Sequence, residues 1–368
     1  MHHSLPPLRY AELGDTPSAD FHRTLAVRAR RYLVERGDHR YADGARLLKA
    51  AGLAAACVGA YVLSLQQTSA TGFAAAYVTA IFLCMLLNVD VNHDASHDVF
   101  LRSRRLNRLV SRLVTVLLGI DPDYWRVRHV AFHHLYPNIA PHDLDIEENG
   151  IFRQTPFQRW RPYMRYQHRY WPLIAALSLP WIAWVFDWRD HLGRTPLHDR
   201  KLLRGARGWG VFLASKLAHL TLALLLPSLM LAEHGIGWPV VLACYLLAQM
   251  GASLLVVFLL LGTHWAQASF HEAPAGGRLA QDWYTHNFAT ACDWQPTPRW
   301  LQWGTGGLHL HLTHHLFPGW HHRHYEALAP IVAQTAAEFG LPYRCLSYRE
   351  LMQAQQTFLK HLGATPTP

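Results

Sequence analysis

The 368-residue chain carries 26 histidines, one more than its 25 aspartates and glutamates together. Eight of them fall in three dense groups: His93-Asp-Ala-Ser-His97, His129-Val-Ala-Phe-His133-His134 and His311-Leu-Thr-His314-His315. On a helix, residues three and four apart share a face, so each group would turn its imidazoles toward a common point. Imidazole suits borderline metals such as iron and zinc. A structural zinc site closes with four ligands, and eight imidazoles exceed the needs of one ion, so two metals are the natural count. His168, His191, His198, His219 and His234 stand alone and read as solvated polar residues, while His2 and His3 at the terminus are too few to explain the excess. The stretch His142-Asp143-Leu144-Asp145 fits a support or substrate contact and a capped helix start equally well. Five scattered cysteines without a CxxC pair define neither a disulfide framework nor a thiolate zinc site.

The elements that must hold these groups are apolar. Hydrophobic residues make up 51% of the chain and charged residues 16%, where an ordinary soluble domain carries about 25% charge. Residues 47–65 and 71–91 are apolar runs near the length that crosses a bilayer, joined by a short uncharged link, and 211–232 with 238–261 repeat the arrangement. Lys216 lies near one end of the third run, where its amine is expected to snorkel to the surface. The stretch 171–188 contains Pro172 and Pro180 and is ringed by tryptophans, so it is expected to lie in the membrane interface. Lys and Arg crowd before Leu47, between Arg102 and Arg207, and after Arg278, and avoid both short turns. By the positive-inside bias those three regions, and all the histidine groups, face the cytosol; Arg104 and Arg204 would then label from the same side. Residues 1–45 show no secretory signal. The expected fold is an all-α integral membrane protein with four transmembrane helices in two hairpins and a cytosolic helical cap that carries the histidines. Residues 1–45 would form a cytosolic N-terminal segment, 46–345 the membrane domain and 346–368 a tail.

The string Asn92-His-Asp-Ala-Ser-His97, then Trp125-Arg with His129 to Asn138 and His142-Asp-x-Asp145, then Gly306-Gly-Leu with His311-xx-His314-His315-Leu-Phe-Pro318, resembles the membrane fatty acid desaturases. The likeness runs from about Leu47 to Pro342-Tyr343. It implies a non-haem di-iron centre, two iron ions held by the three boxes at the cytosolic membrane face, with dioxygen as cosubstrate, that removes two hydrogens from a fatty acyl chain. It also implies a ninth histidine ligand after the last span, for which His286 in Asp282-Trp-Tyr-Thr-His286 fits, with Asp282 holding a bound water. Many relatives that act between an existing double bond and the carboxyl end carry Gln where this chain has His311. Such relatives often carry a fused cytochrome-b-type domain. None fits in residues 1–45, so electrons are expected from a separate protein such as ferredoxin, or a cytochrome-b-type protein with its reductase.

The implied reaction makes chemical sense of the ligands. An unactivated methylene offers no acidic proton and no leaving group, so the oxidising power has to come from a cofactor. Asp94, Asp98, Asp143, Asp145 and Asp293 are candidates to fix histidine tautomers from outside the metal shell. The substrate is a CoA- or lipid-linked acyl chain, and membrane lipid is a standing partner. The formal charge of +9 sits largely in the loops, where it also attracts acidic partners or anionic lipid; no nucleic-acid-binding motif is present. A related di-iron hydroxylase or ketolase would carry nearly the same boxes. A metal transporter would place its histidines inside the spans, along a pore, whereas these groups lie beyond the span ends.

Overall fold

The computed structural model describes residues 5–13, 17–197 and 205–364. His2, His3, His198 and Arg204 lie outside the described residues. Two compact units are built from interleaved stretches of chain. Of the described residues, one comprises Ala42–Val127 and Pro172–Val256 without 198–204; the other comprises 5–13, 17–41, Arg128–Trp171 and 257–364.

Among the described residues four helices are long and apolar enough to cross a membrane: Gly44–Leu65, Ala70–Ser96, Gly205–Met230 and Trp238–His264. The first starts where the Asp43 carboxylate accepts from the Arg46 amide, the second where the Ser69 hydroxyl accepts from the Gly72 amide, so one orphan donor of each first turn finds a side-chain partner. The helices run past the apolar stretches seen in the sequence, and the second and fourth end on histidines or next to them. A bent pair, Pro162–Ala176 with Ser178–His191, turns by 56° at Leu177 and would make a fifth crossing if read as one span.

In the first unit the third span contains a π-helical turn at Thr221–Leu225, followed by Pro227. Proline has no amide hydrogen for the carbonyl four residues back, and in lipid no water would replace it. Tyr77 fills the gap: its hydroxyl donates to Ala223 O at 2.7 Å, and Tyr61 does the same to Leu222 O at 2.6 Å. Lys216 does not snorkel. It is buried, and its amine donates to Gly119 O, Ala183 O and the Asp187 carboxylate at 2.6–2.7 Å. All three of its hydrogens are spent, which makes an internal ammonium tolerable. Two of the isolated histidines are likewise not solvated. His191 Nδ1 meets Tyr124 Oη at 2.7 Å; His219 bonds Val116 O through Nδ1 and Tyr245 Oη through Nε2. His234 is exposed and His168 half-buried.

The second unit packs the N-terminal helix Pro17–Glu35 against Tyr325–Glu338 through Phe21, Leu25 and Ala29, which meet Phe288, Leu328 and Val332 in one apolar cluster. The 4-residue spacing of Phe21, Leu25 and Ala29 is what puts them on one face. Two short parallel pairings, absent from the all-helical expectation, tie down its loops: β1 (Ile139–Ala140) with β2 (His271–Glu272), and β3 (Asp293–Gln295) with β4 (Cys345–Ser347). The helix Tyr348–Ala364 closes over Trp294 through Leu351.

Candidate metal centre

The second histidine group sits on a π-helical segment, Val127–His133. Here the His134 amide donates to His129 O, five residues back, at 2.9 Å. The wider turn brings residues 129 and 134 into line, where an α-helix would have separated them. His129 and His133 stack with ring centroids 5.6 Å apart, and His134 Nε2 lies 3.1 Å from His129 Nε2. The third group occupies the helix His311–Leu316. Its first turn is held by Asp293, whose carboxylate accepts from the Thr313 amide at 3.1 Å and the Thr313 hydroxyl at 2.7 Å.

Within this unit His133, His264, His311 and His315 each offer a ring nitrogen, and these four atoms all lie within 4.8 Å of one another. The tautomers follow from the partners on the far side of each ring. His133 Nδ1 faces both oxygens of Asp143 at 3.2 Å, His264 Nδ1 faces Thr290 O at 2.9 Å, and His315 Nδ1 faces Asn287 Oδ1 at 3.1 Å. Each partner is an acceptor, so each Nδ1 carries the hydrogen and each Nε2 keeps its lone pair for the centre. His314 follows the same rule: the Tyr325 hydroxyl donates to Trp320 O, which leaves its oxygen to accept from His314 Nδ1 at 2.9 Å. His315 Nε2 is buried with no hydrogen-bond partner among the described residues. Nε2 atoms of His264 and His311 stand 2.8 Å apart, and those of His134 and His314 2.9 Å. Adjacent ligands on one ion with metal–nitrogen bonds of ~2.0–2.1 Å would be separated by about 3 Å. The donor set therefore fits a metal.

The electrostatics agree. Burial works against charge on His133, yet Asp143 and Asp145 overcome it and lift the ring to about 9. Without a metal the ring is therefore protonated at neutral pH, and a bound cation would take the Nε2 position by displacing that proton. Burial also opposes ionisation of Asp143, but His133 and the Asn138 and Asp145 amides hold its carboxyl below the usual range. Burial first, and then the neighbouring imidazoles, push His315 well below its ordinary value, so its ring is neutral.

In the first unit, His93 and His97 follow a π-helical turn at Asn88–Asn92 and bring their rings to 5.1 Å. Asp94 Oδ1 is 3.6 Å from His93 Nδ1. Asp98, at a φ of 59°, ends this helix and is held by Arg126 at 2.7 and 2.9 Å; it fixes no histidine tautomer.

Two expected roles after the last span fall elsewhere. His286 belongs to none of the metal-competent groups among the described residues. Its Nε2–H donates to Pro137 O at 2.7 Å, its ring packs beside His271 and Tyr10, and burial lowers it to about 4. A nitrogen that carries this hydrogen has no lone pair to give. Asp282 is the N-cap of Trp283–Thr290, accepting from the Tyr284 and Thr285 amides and the Thr285 hydroxyl. The histidine that the fold does bring beside His133, His311 and His315 is His264, which stands alone in the sequence at the end of the last span. Its only signal is an ionisable residue within a helix otherwise built for lipid. Asp143 serves both roles open to it, capping the turn Leu144–Ile146 and orienting His133. Asp145 is exposed, its carboxylate 3.5 Å from His133 Nδ1.

Comparison with known proteins shows which family the chain belongs to. The chain is 27% identical over 286 residues to the sn-1 linoleoyl-lipid 6-desaturase of Arthrospira platensis, covering 75% of this chain and 74% of that one. It is 26% identical to the enzyme of that name from Synechocystis, covering 76% and 79%. An acyl-lipid (8-3)-desaturase of Physcomitrium patens is 27% identical, covering 77% of this chain and 59% of its own length. Residues 68–347 match the family model for fatty acid desaturase, a stretch that holds all three histidine groups together with His264, and the chain belongs to that family.

Proposed function

We propose that this membrane oxidoreductase introduces a double bond into a lipid-linked or CoA-linked acyl chain at a di-iron centre on the cytosolic face. The observation that carries the reading is the set His133, His264, His311 and His315, whose ring nitrogens converge, with His133, His264 and His315 anchored through Nδ1 so that Nε2 is offered inward. His314 and His134 turn their Nε2 atoms toward one another; His134 belongs to no metal-competent group among the described residues, and its place as a ligand rests on the spacing of its box. His93, His97 and His129 supply the remaining ligands, a part of the proposal that rests on the order and spacing of the three boxes. His264 takes the place first suggested for His286. Bound iron would supply, with dioxygen, the oxidising chemistry that an unactivated methylene requires. The protein's part is positional. Asp143, Thr290, Asn287 and Tyr325 hold the imidazoles in one tautomer and one orientation, and the Asp143 carboxylate balances cationic charge at the centre. The cytosolic placement is supported by the lysine and arginine bias of the loops. Electrons would come from a separate donor protein, drawn by the basic loops.

The test is a fatty-acid profile of cells expressing the chain, with His315→Ala as control. A new unsaturated species that depends on His315 supports the reading, and a hydroxy or keto acid would reassign the reaction.

A further inference from the structure

The turn Pro298–Gly304 is not used by the metal centre, yet it carries the most exposed aromatic patch of its unit. Trp300 is 73% exposed, Trp303 55% and Leu301 36%, although a large ring normally seeks burial. Arg299 flanks them, and residues 296–304 contain no acid. The position of this patch follows from its anchors. Trp294, just before it, is buried and donates through Nε1 to Leu259 O at 3.2 Å; Tyr348 donates to Phe258 O at 3.3 Å. Both acceptors lie in the final turns of the span Trp238–His264. The strand β3 is thus bonded to the end of a transmembrane helix, and the exposed tryptophans follow Trp294 by only six and nine residues.

We propose that Arg299–Gly304 is a membrane-surface anchor whose Trp300, Leu301 and Trp303 insert into the lipid headgroup region beside the last span, with Arg299 facing lipid phosphates. The occupant is the bilayer. Continuity with the span end selects it, and an amphipathic ring with a basic neighbour is the chemistry that settles at such an interface. The anchor leads directly into the third histidine group, through Thr305 and its 2.8 Å bond with His309 Nδ1, so it would fix that segment against the membrane surface.

The test places an environment-sensitive fluorophore at Trp300→Cys or Trp303→Cys in a Cys345→Ser background, with Glu12→Cys as the aqueous control. The full-length protein is reconstituted in phosphatidylcholine–phosphatidylglycerol vesicles. The expected result is blue-shifted emission at 300 and 303, quenched more by lipid carrying a nitroxide near the headgroup than at the chain end, and little quenched by aqueous iodide. Glu12→Cys should show the reverse. Emission and iodide quenching equal to those of the Glu12 control would overturn the proposal. So would iodide protection that appears only when a donor protein is added, which would make the patch a protein-docking surface. Both variants lie on exposed positions, and matching yields and melting temperatures confirm that labelling reports location.

Discussion

Asp143 is the residue whose removal reads most directly on the metal centre without touching a ligand. Its buried carboxylate faces His133 Nδ1 with both oxygens at 3.2 Å, and it accepts from the Asn138 amide at 2.8 Å and the Asp145 amide at 3.0 Å. Asp143→Asn keeps the shape but removes the charge, and turns one acceptor into a donor that faces a donor. Loss of an oriented partner behind a ligating histidine costs ~10–100-fold in metal affinity, which is about 1.4–2.8 kcal/mol. The donor left facing a donor adds about 1–3 kcal/mol of lost stability. Purified iron-loaded wild type and variant, titrated with a chelator, should release iron at chelator concentrations that differ by that factor. Asp145→Asn, an exposed carboxylate at 3.5 Å, should shift the midpoint far less. Equal midpoints for Asp143→Asn and wild type would refute the idea that Asp143 governs His133 as a ligand.

His264→Ala should lower iron content and activity together, because one imidazole of the four leaves the centre, whereas His286→Ala should keep its iron and lose at most some thermal stability; elemental analysis of the two proteins decides between them. Asp38 is held well below the usual carboxylate range first by its paired bonds to Arg323, at 2.5 and 2.8 Å. A carboxyl depressed in the folded state stabilises above its unfolded value of ~3.9 and loses that contribution as pH falls toward the folded value. Asp38→Asn should therefore melt below wild type at neutral pH, with the gap closing as the medium is acidified below about pH 4; a pH-independent gap would contradict the ion pair. Cysteines placed at Thr68 and Gly235 should label from outside intact cells and one at Arg104 only after permeabilisation, and the same side for all three would break the proposed topology.

Much of this arrangement was legible in the chain. The four apolar runs marked the spans to within a few residues, because length and composition alone decide what can cross lipid. The three boxes marked groups of imidazoles able to hold a metal, because repeated spacing is hard to produce by chance. What stayed hidden depended on partners distant in sequence. His264 has no companion at ligand spacing, so only the fold reveals it beside His311. Asp282 and His286 share a helical face, and that spacing serves a cap and a core histidine as well as it serves a metal. Lys216 looked like a snorkelling residue because its acceptors lie about 30 to 100 positions away, at Ala183, Asp187 and Gly119. The π-turns under the first two boxes leave no mark in composition, yet one of them aligns His134 with His129.

The central claim, a two-iron histidine centre in a desaturase, is tested most directly by metal analysis of active protein purified from iron-sufficient cells. The account predicts two iron atoms per chain, lost in His315→Ala. A reproducible single zinc per chain with full activity would contradict it.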